Sequence, residues 1–110
     1  MDLKTKKDKF YRSRGGTTNV IEILCASCNT SICKYQKDGT GNLHRLYLDR
    51  LLESNQAFKI PEYHPSITEK DLPNLVCICR ELIAVPMIYS KEDRLAFRLI
   101  HGSIHKKQIK

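Results

Sequence analysis

A chain of 110 residues with a formal net charge of +7 is one domain's worth of sequence, able to bury a modest core. The charge sits at the ends: Lys4, Lys6, Lys7, Lys9, Arg12 and Arg14 oppose only Asp2 and Asp8, and Lys106, Lys107 and Lys110 close the chain. The body between has ten basic and ten acidic residues, which argues against the broad basic stripe of a specific nucleic-acid reader.

No apolar run is long enough to span a bilayer, and the polar start has no apolar leader. A soluble, cytoplasmic protein without membrane contact is the expectation. In that compartment clustered cysteines are more often metal ligands or redox thiols than disulfides.

Residues 1–17 are charged and end in Gly15-Gly16-Thr17, which predicts a flexible basic arm. Asn19 to Leu24 is β-branched and apolar and predicts a strand running into Cys25. A second strand is expected over 31–37. The turn Asp38-Gly39-Thr40-Gly41-Asn42 follows, with glycines suited to positive φ. Leu43 to Leu51 fits either a helix face or a strand. The tight turn before it favours a strand paired with 31–37 as a hairpin.

Residues 54–74 are irregular. Pro61, Pro65 and Pro73 prevent a long element, and Phe58, Ile60 and Tyr63 are candidates to pack. Ser66 with Glu69 has capping-box spacing, predicting one helical turn over 67–72. Leu75 to Ile78 is a short strand into Cys77 and Cys79. Leu82 to Tyr89 is a buried strand, and 90–93 is a turn. Arg94 to Leu99 alternates, with Leu95, Phe97 and Leu99 on one face and Arg94 and Arg98 on an outer face. The domain thus runs over 18–105, with residues 106–110 as a basic tail.

The chemistry lies in the cysteines. Cys25-Ala-Ser-Cys28 and Cys77-Ile-Cys79 predict one metal site with four thiolates, zinc being the expected ion. Zinc holds sulfur at ~2.3 Å in a tetrahedron, so neighbouring sulfurs sit about 3.7 Å apart. A two-residue gap delivers that spacing from a turn. Asn29, directly after Cys28, tolerates the positive φ such a turn needs. The second pair is one residue short. On a straight strand its side chains would lie ~6–7 Å apart, so the chain must bend at Ile78. Arg80 is also a poor substitute for a knuckle glycine. Cys33 or a histidine is the alternative fourth ligand, although Cys33, within a strand, suits a buried apolar thiol. His101 and His105 flank Gly102 and Ser103, which argues against a Cys₂His₂ helix. Iron is open alongside zinc. A redox role for Cys25 and Cys28 would want a helix start after the pair, and none is predicted.

A strand, a two-cysteine knuckle and a hairpin, twice over, resembles the zinc ribbon and rubredoxin-like superfamily across roughly residues 19–53 and 75–100. The resemblance implies a mainly β fold of antiparallel hairpins with at most one short helical turn. It also implies a single structural Zn²⁺ held by Cys25, Cys28, Cys77 and Cys79. The superfamily spans RNA-binding, transcription, ribosomal and scaffolding proteins, so fold does not choose the role. A binding or scaffold module with a structural zinc is the expectation. Its partner is either a protein or, through the Lys/Arg-rich termini, RNA or DNA. No catalytic constellation is present: there are no paired carboxylates with a histidine base and no phosphate-cradling glycine loop.

Overall fold

The computed structural model describes residues 5–6, 8–16, 18–39 and 41–109. Among these described residues eight strands form two antiparallel sheets, as the mainly β expectation requires. The first sheet has the order β4 (Leu51–Ser54), β2 (Ser31–Asp38), β1 (Thr18–Cys25), β8 (Ile104–Gln108). The second has the order β3 (Arg45–Tyr47), β7 (Arg94–Leu99), β6 (Leu82–Tyr89), β5 (Leu75–Val76). No helix among the described residues is long and apolar enough to cross a membrane.

The period of two sorts β1 into faces. Ile21, Ile23 and Cys25 are buried, joined from β2 by Cys33 and Tyr35. On the opposite face a row of charge crosses all four strands, with Glu53, Lys34, Glu22 and Lys107 in register. The signs alternate, so each neighbour on the row is an attractive cross-strand pair. Lys107 is therefore part of a strand pairing, although the sequence places it in a tail. Residues 104–108 become a strand because β1 has an open edge there.

The stretch expected to form one strand over 43–51 divides. Arg45–Tyr47 pairs with β7, a 3-10 turn follows at Leu48–Arg50, and Leu51–Ser54 pairs with β2. The chain crosses between the sheets here, so Leu46, Tyr47 and Leu48 are buried in succession. That is why their spacing fits a helix face and a strand alike and decides for neither. In the irregular region Phe58, Ile67 and Leu72 close the core, Ile60 is half-buried, and Tyr63 is 51% exposed. The helical turn falls at Glu69–Asp71, where the Asp71 carboxylate accepts from the Thr68 N–H and hydroxyl.

The arm differs most from expectation. Residues 1–4, 7 and 17 lie outside the described residues, but Lys9–Ser13 is a helix, α1. Asp8 caps it, accepting from the Phe10 and Tyr11 N–H groups. The helix is docked by side chains from both sheets. Arg50, 1% exposed, forks onto Asp8 at 2.6 and 3.2 Å and reaches Asp38 at 2.7 Å. Gln36, fully buried, exchanges hydrogen bonds with the Lys6 backbone N–H and carbonyl. Gly39, at φ 74°, lets the Arg14 backbone pass, since a Cβ there would meet the Arg14 carbonyl oxygen at 2.7 Å. Arg94, expected outward, is buried. It pairs with Asp49 and Glu92 and lies between the Phe10 and Tyr47 rings at 4.0 and 3.7 Å. The arm is what covers it.

Candidate metal centre

At the other end of the molecule the two sheets meet at the cysteines. Cys25 ends β1 and Cys28 lies in the turn to β2; Cys77 follows β5 and Cys79 lies in the turn to β6. The four sulfurs lie within 4.8 Å of one another, and no other cysteine or histidine among the described residues joins them. Cys25 Sγ lies 3.6 Å from Cys79 Sγ, and Cys28 Sγ lies 3.4 Å from Cys77 Sγ. These separations are close to the ~3.7 Å of a tetrahedral thiolate site and far from the ~2.05 Å of a disulfide. Each close pair joins one hairpin to the other.

The irregular second spacing has a local explanation. In the first turn the Asn29 N–H donates to the Cys25 carbonyl at 2.8 Å, and the Cys25 N–H donates to the Thr30 carbonyl at 2.9 Å. In the second turn the Arg80 N–H donates to the Cys77 carbonyl at 2.8 Å, and the Cys77 N–H donates to the Glu81 carbonyl at 2.9 Å. The two turns therefore close identically, the second with one residue fewer. Asn29 and Arg80 are equivalent, with φ 65° and 75°. Arg80 thus adopts the left-handed conformation for which it looks unsuited in sequence. The chain bends at Ile78, which points to solvent at 72% exposure, and the straight-strand separation never arises.

Backbone N–H groups also serve the sulfurs in matching places. The Thr30 N–H bonds Cys28, and the Glu81 N–H bonds Cys79. The Thr30 hydroxyl adds a contact to Cys28 Sγ at 3.0 Å. That hydroxyl, then the Thr30 N–H, lowers the Cys28 thiol to about 6. Cys79 goes the other way, to about 12: the Glu81 N–H pulls it down, but desolvation and the three other sulfurs outweigh that bond. Four neighbouring thiols cannot all ionise unaided, because each thiolate formed disfavours the next. A cation removes that conflict and makes all four good donors.

Burial alternates around the cluster. Cys25 and Cys77 belong to the core, while Cys28 and Cys79 face solvent. A metal ion held there would rest on the core with one side toward the surface. Cys33 stands apart: burial, then the charge of Glu22, pushes its thiol up to about 12, the behaviour of an inert interior cysteine.

Ser103 is a supporting residue that sequence reasoning missed. It is 5% exposed, its carbonyl accepts from the Ala26 N–H at 2.9 Å, and its hydroxyl donates to the Ile83 carbonyl at 2.9 Å. It pins the first knuckle to β6, the strand that leaves the second. A serine beside Gly102 reads as turn chemistry, and only the sheet crossing gives it this role.

Comparison with known protein families, curated proteins and solved structures finds no match.

Proposed function

We propose that the protein is a small zinc-binding module whose single Zn²⁺, held by Cys25, Cys28, Cys77 and Cys79, clamps its two sheets together. The observation that carries this reading is the set of four sulfurs within 4.8 Å, two from each hairpin. Paired knuckles with N–H groups aimed at the outer sulfurs support a zinc-ribbon-like assignment. Zinc suits the site because its filled d shell imposes no geometry of its own, so it accepts two turns of unequal length. With four protein ligands the ion keeps no open position for water or substrate, and its role is structural. The protein then acts by binding a partner rather than by catalysis.

Elemental analysis of the purified chain tests this. The expected result is one zinc per chain, lost from Cys79→Ser and retained in Cys33→Ser. Iron in place of zinc would change the ion and keep the site. A metal-free chain with a well-dispersed folded spectrum would overturn the reading and leave the four sulfurs as thiols.

A further inference from the structure

We propose that the cleft between the docked arm and the start of β3 is a binding site for a phosphate group. It encloses about 240 Å³ and is remote in role from the cysteine cluster. That is below the ~300 Å³ at which pockets for drug-sized molecules begin, so it suits a small charged group. Its wall includes Arg14, Lys37, Asn42, Arg45, Tyr47 and Arg94.

The charges fall into two sets. Arg50, Arg94 and Arg14 are paired with carboxylates: Asp8 and Asp38 for the first, Asp49 and Glu92 for the second, and Glu92 again for the third. Among the described residues, Asp38 is the one carboxylate on the wall. Its oxygens are taken by Arg50 Nε at 2.7 Å and Gln36 Nε2 at 2.8 Å. Arg45 and Lys37 form no ion pair among the described residues. Arg45 donates to the Tyr47 hydroxyl and lies over the Tyr89 ring at 4.2 Å, and Lys37 donates to the Gly39 carbonyl. The five cations thus exceed the four nearby carboxylates, and the surplus sits at the cleft.

Two guanidinium nitrogens add to this. Arg14 Nη1 and Arg94 Nε are buried and have no acceptor among the described residues. Buried donors are almost always satisfied, and an orphan calls for a missing partner. Arg94 Nε lies between two aromatic rings, which accounts for its isolation. Arg14 has no such cover on both sides: its other nitrogen donates to Glu92 and to the Tyr47 hydroxyl, and Nη1 is left over. Arg14, with one nitrogen unpartnered, shares the cleft wall with a second arginine and a lysine, and such a set of donors is one that a tetrahedral oxyanion accepts from. Burial, then Lys106, holds the Lys37 ammonium below its usual pKa, a strain that a bound anion would relieve.

The phosphate could belong to a small ester or to a nucleic-acid backbone. Titration calorimetry on the full-length chain at constant ionic strength separates them, with pyrophosphate, adenosine 5′-monophosphate and an eight-nucleotide RNA as probes. Saturable pyrophosphate binding is expected, weakened at least about tenfold by Arg45→Met, the scale of one lost charge-assisted hydrogen bond. Lys37→Met provides a second variant on the same wall, and Lys70→Met, on an exposed turn, leaves binding unchanged. Monophosphate binding without RNA binding assigns a small ester, and tighter binding of RNA assigns a backbone. No pyrophosphate binding, or binding equal in wild type, Arg45→Met and Lys37→Met, overturns the site.

Discussion

Two polar clusters join the sheets of this protein, and they solve the problem of buried charge in opposite ways. The arginine cluster brings its own counter-ions: Arg50 with Asp8 and Asp38, Arg94 with Asp49 and Glu92. The cysteine cluster gathers four potential anions and no cation among them. The first can close as the chain folds. On the proposed function, the second closes fully only when an ion arrives from solution. The difference teaches where each cluster is vulnerable, since one depends on its residues alone and the other on its surroundings.

The largest effect should come from taking the ion away. Stripping metal with a chelator, or replacing the buried Cys25 by Ser, should unfold the domain at ambient temperature. Structural zinc sites contribute on the order of 10 kcal/mol, as much as the whole stability of a small domain. Circular dichroism with and without added zinc reads this directly. A chelated chain that keeps its strand signal and its melting temperature would show that the arginine cluster and core suffice.

Next in size is Arg50→Met, which attacks the self-neutralised cluster. The substitution leaves Asp38, whose side chain is 5% exposed, without its cation. Removing one partner of a buried pair costs about 3–5 kcal/mol. Urea unfolding of the metal-loaded protein should show that loss while the metal content stays at the wild-type level. A loss of metal together with stability would mean that the clusters are coupled through the sheets rather than independent.

The same contrast explains what was legible in the sequence. Cys25, Cys28, Cys77 and Cys79 stand out because cysteines are scarce and their spacing has a chemical meaning. The strands β1, β6 and β7 stand out because their apolar residues run in strand-like patterns. The arginine cluster was invisible for the converse reason. Arg50, Arg94 and Asp8 are of residue types that normally face water, and nothing local marks them as buried. Asp8, a short run that includes Phe10 and Tyr11, and Gly15-Gly16 are an N-cap and a helix stop, yet so short a helix forms only because Arg50 and Arg94 hold it. The single expected strand over 43–51 failed for a related reason: its burial is set by two sheets at once, which no single periodicity describes.

Asp8 offers a gentler probe of the arginine cluster. The hydrogen bond from Arg50, then the helix N–H groups and the guanidinium charge, hold its carboxyl at about 2, against 3.8 when free. A depressed folded pKa stabilises above the unfolded value and fades as pH falls toward the folded one. The side chain is 40% exposed, so screening reduces the contribution to about 1 kcal/mol. The stability difference between wild type and Asp8→Asn should be constant above pH ~5 and shrink as pH falls from about 4 to 2. Acid release of the proposed metal would unfold both chains, so the gap is read over the part of that range in which both still hold it. A gap that stays unchanged as pH falls below ~4 within that range would show that the substitution disturbs the arm by something other than lost charge.

The smallest effect tests the equivalence of the two knuckles. Asn29 and Arg80 occupy the same place, but asparagine visits positive φ readily and arginine does not. The left-handed conformation costs an ordinary L-residue roughly 1–2 kcal/mol, and glycine returns part of the gain through its freer unfolded chain. Arg80→Gly should therefore stabilise the metal-loaded protein by about 0.5–1 kcal/mol, and Asn29→Gly by less. Arg80→Ala keeps the backbone penalty and removes the side chain, so it should leave stability near wild type. Thermal melts of the three variants rank them. If Arg80→Gly gains nothing while Arg80→Ala loses stability, the arginine side chain stabilises the second knuckle directly, and its place there is chosen for contact rather than tolerated by the turn.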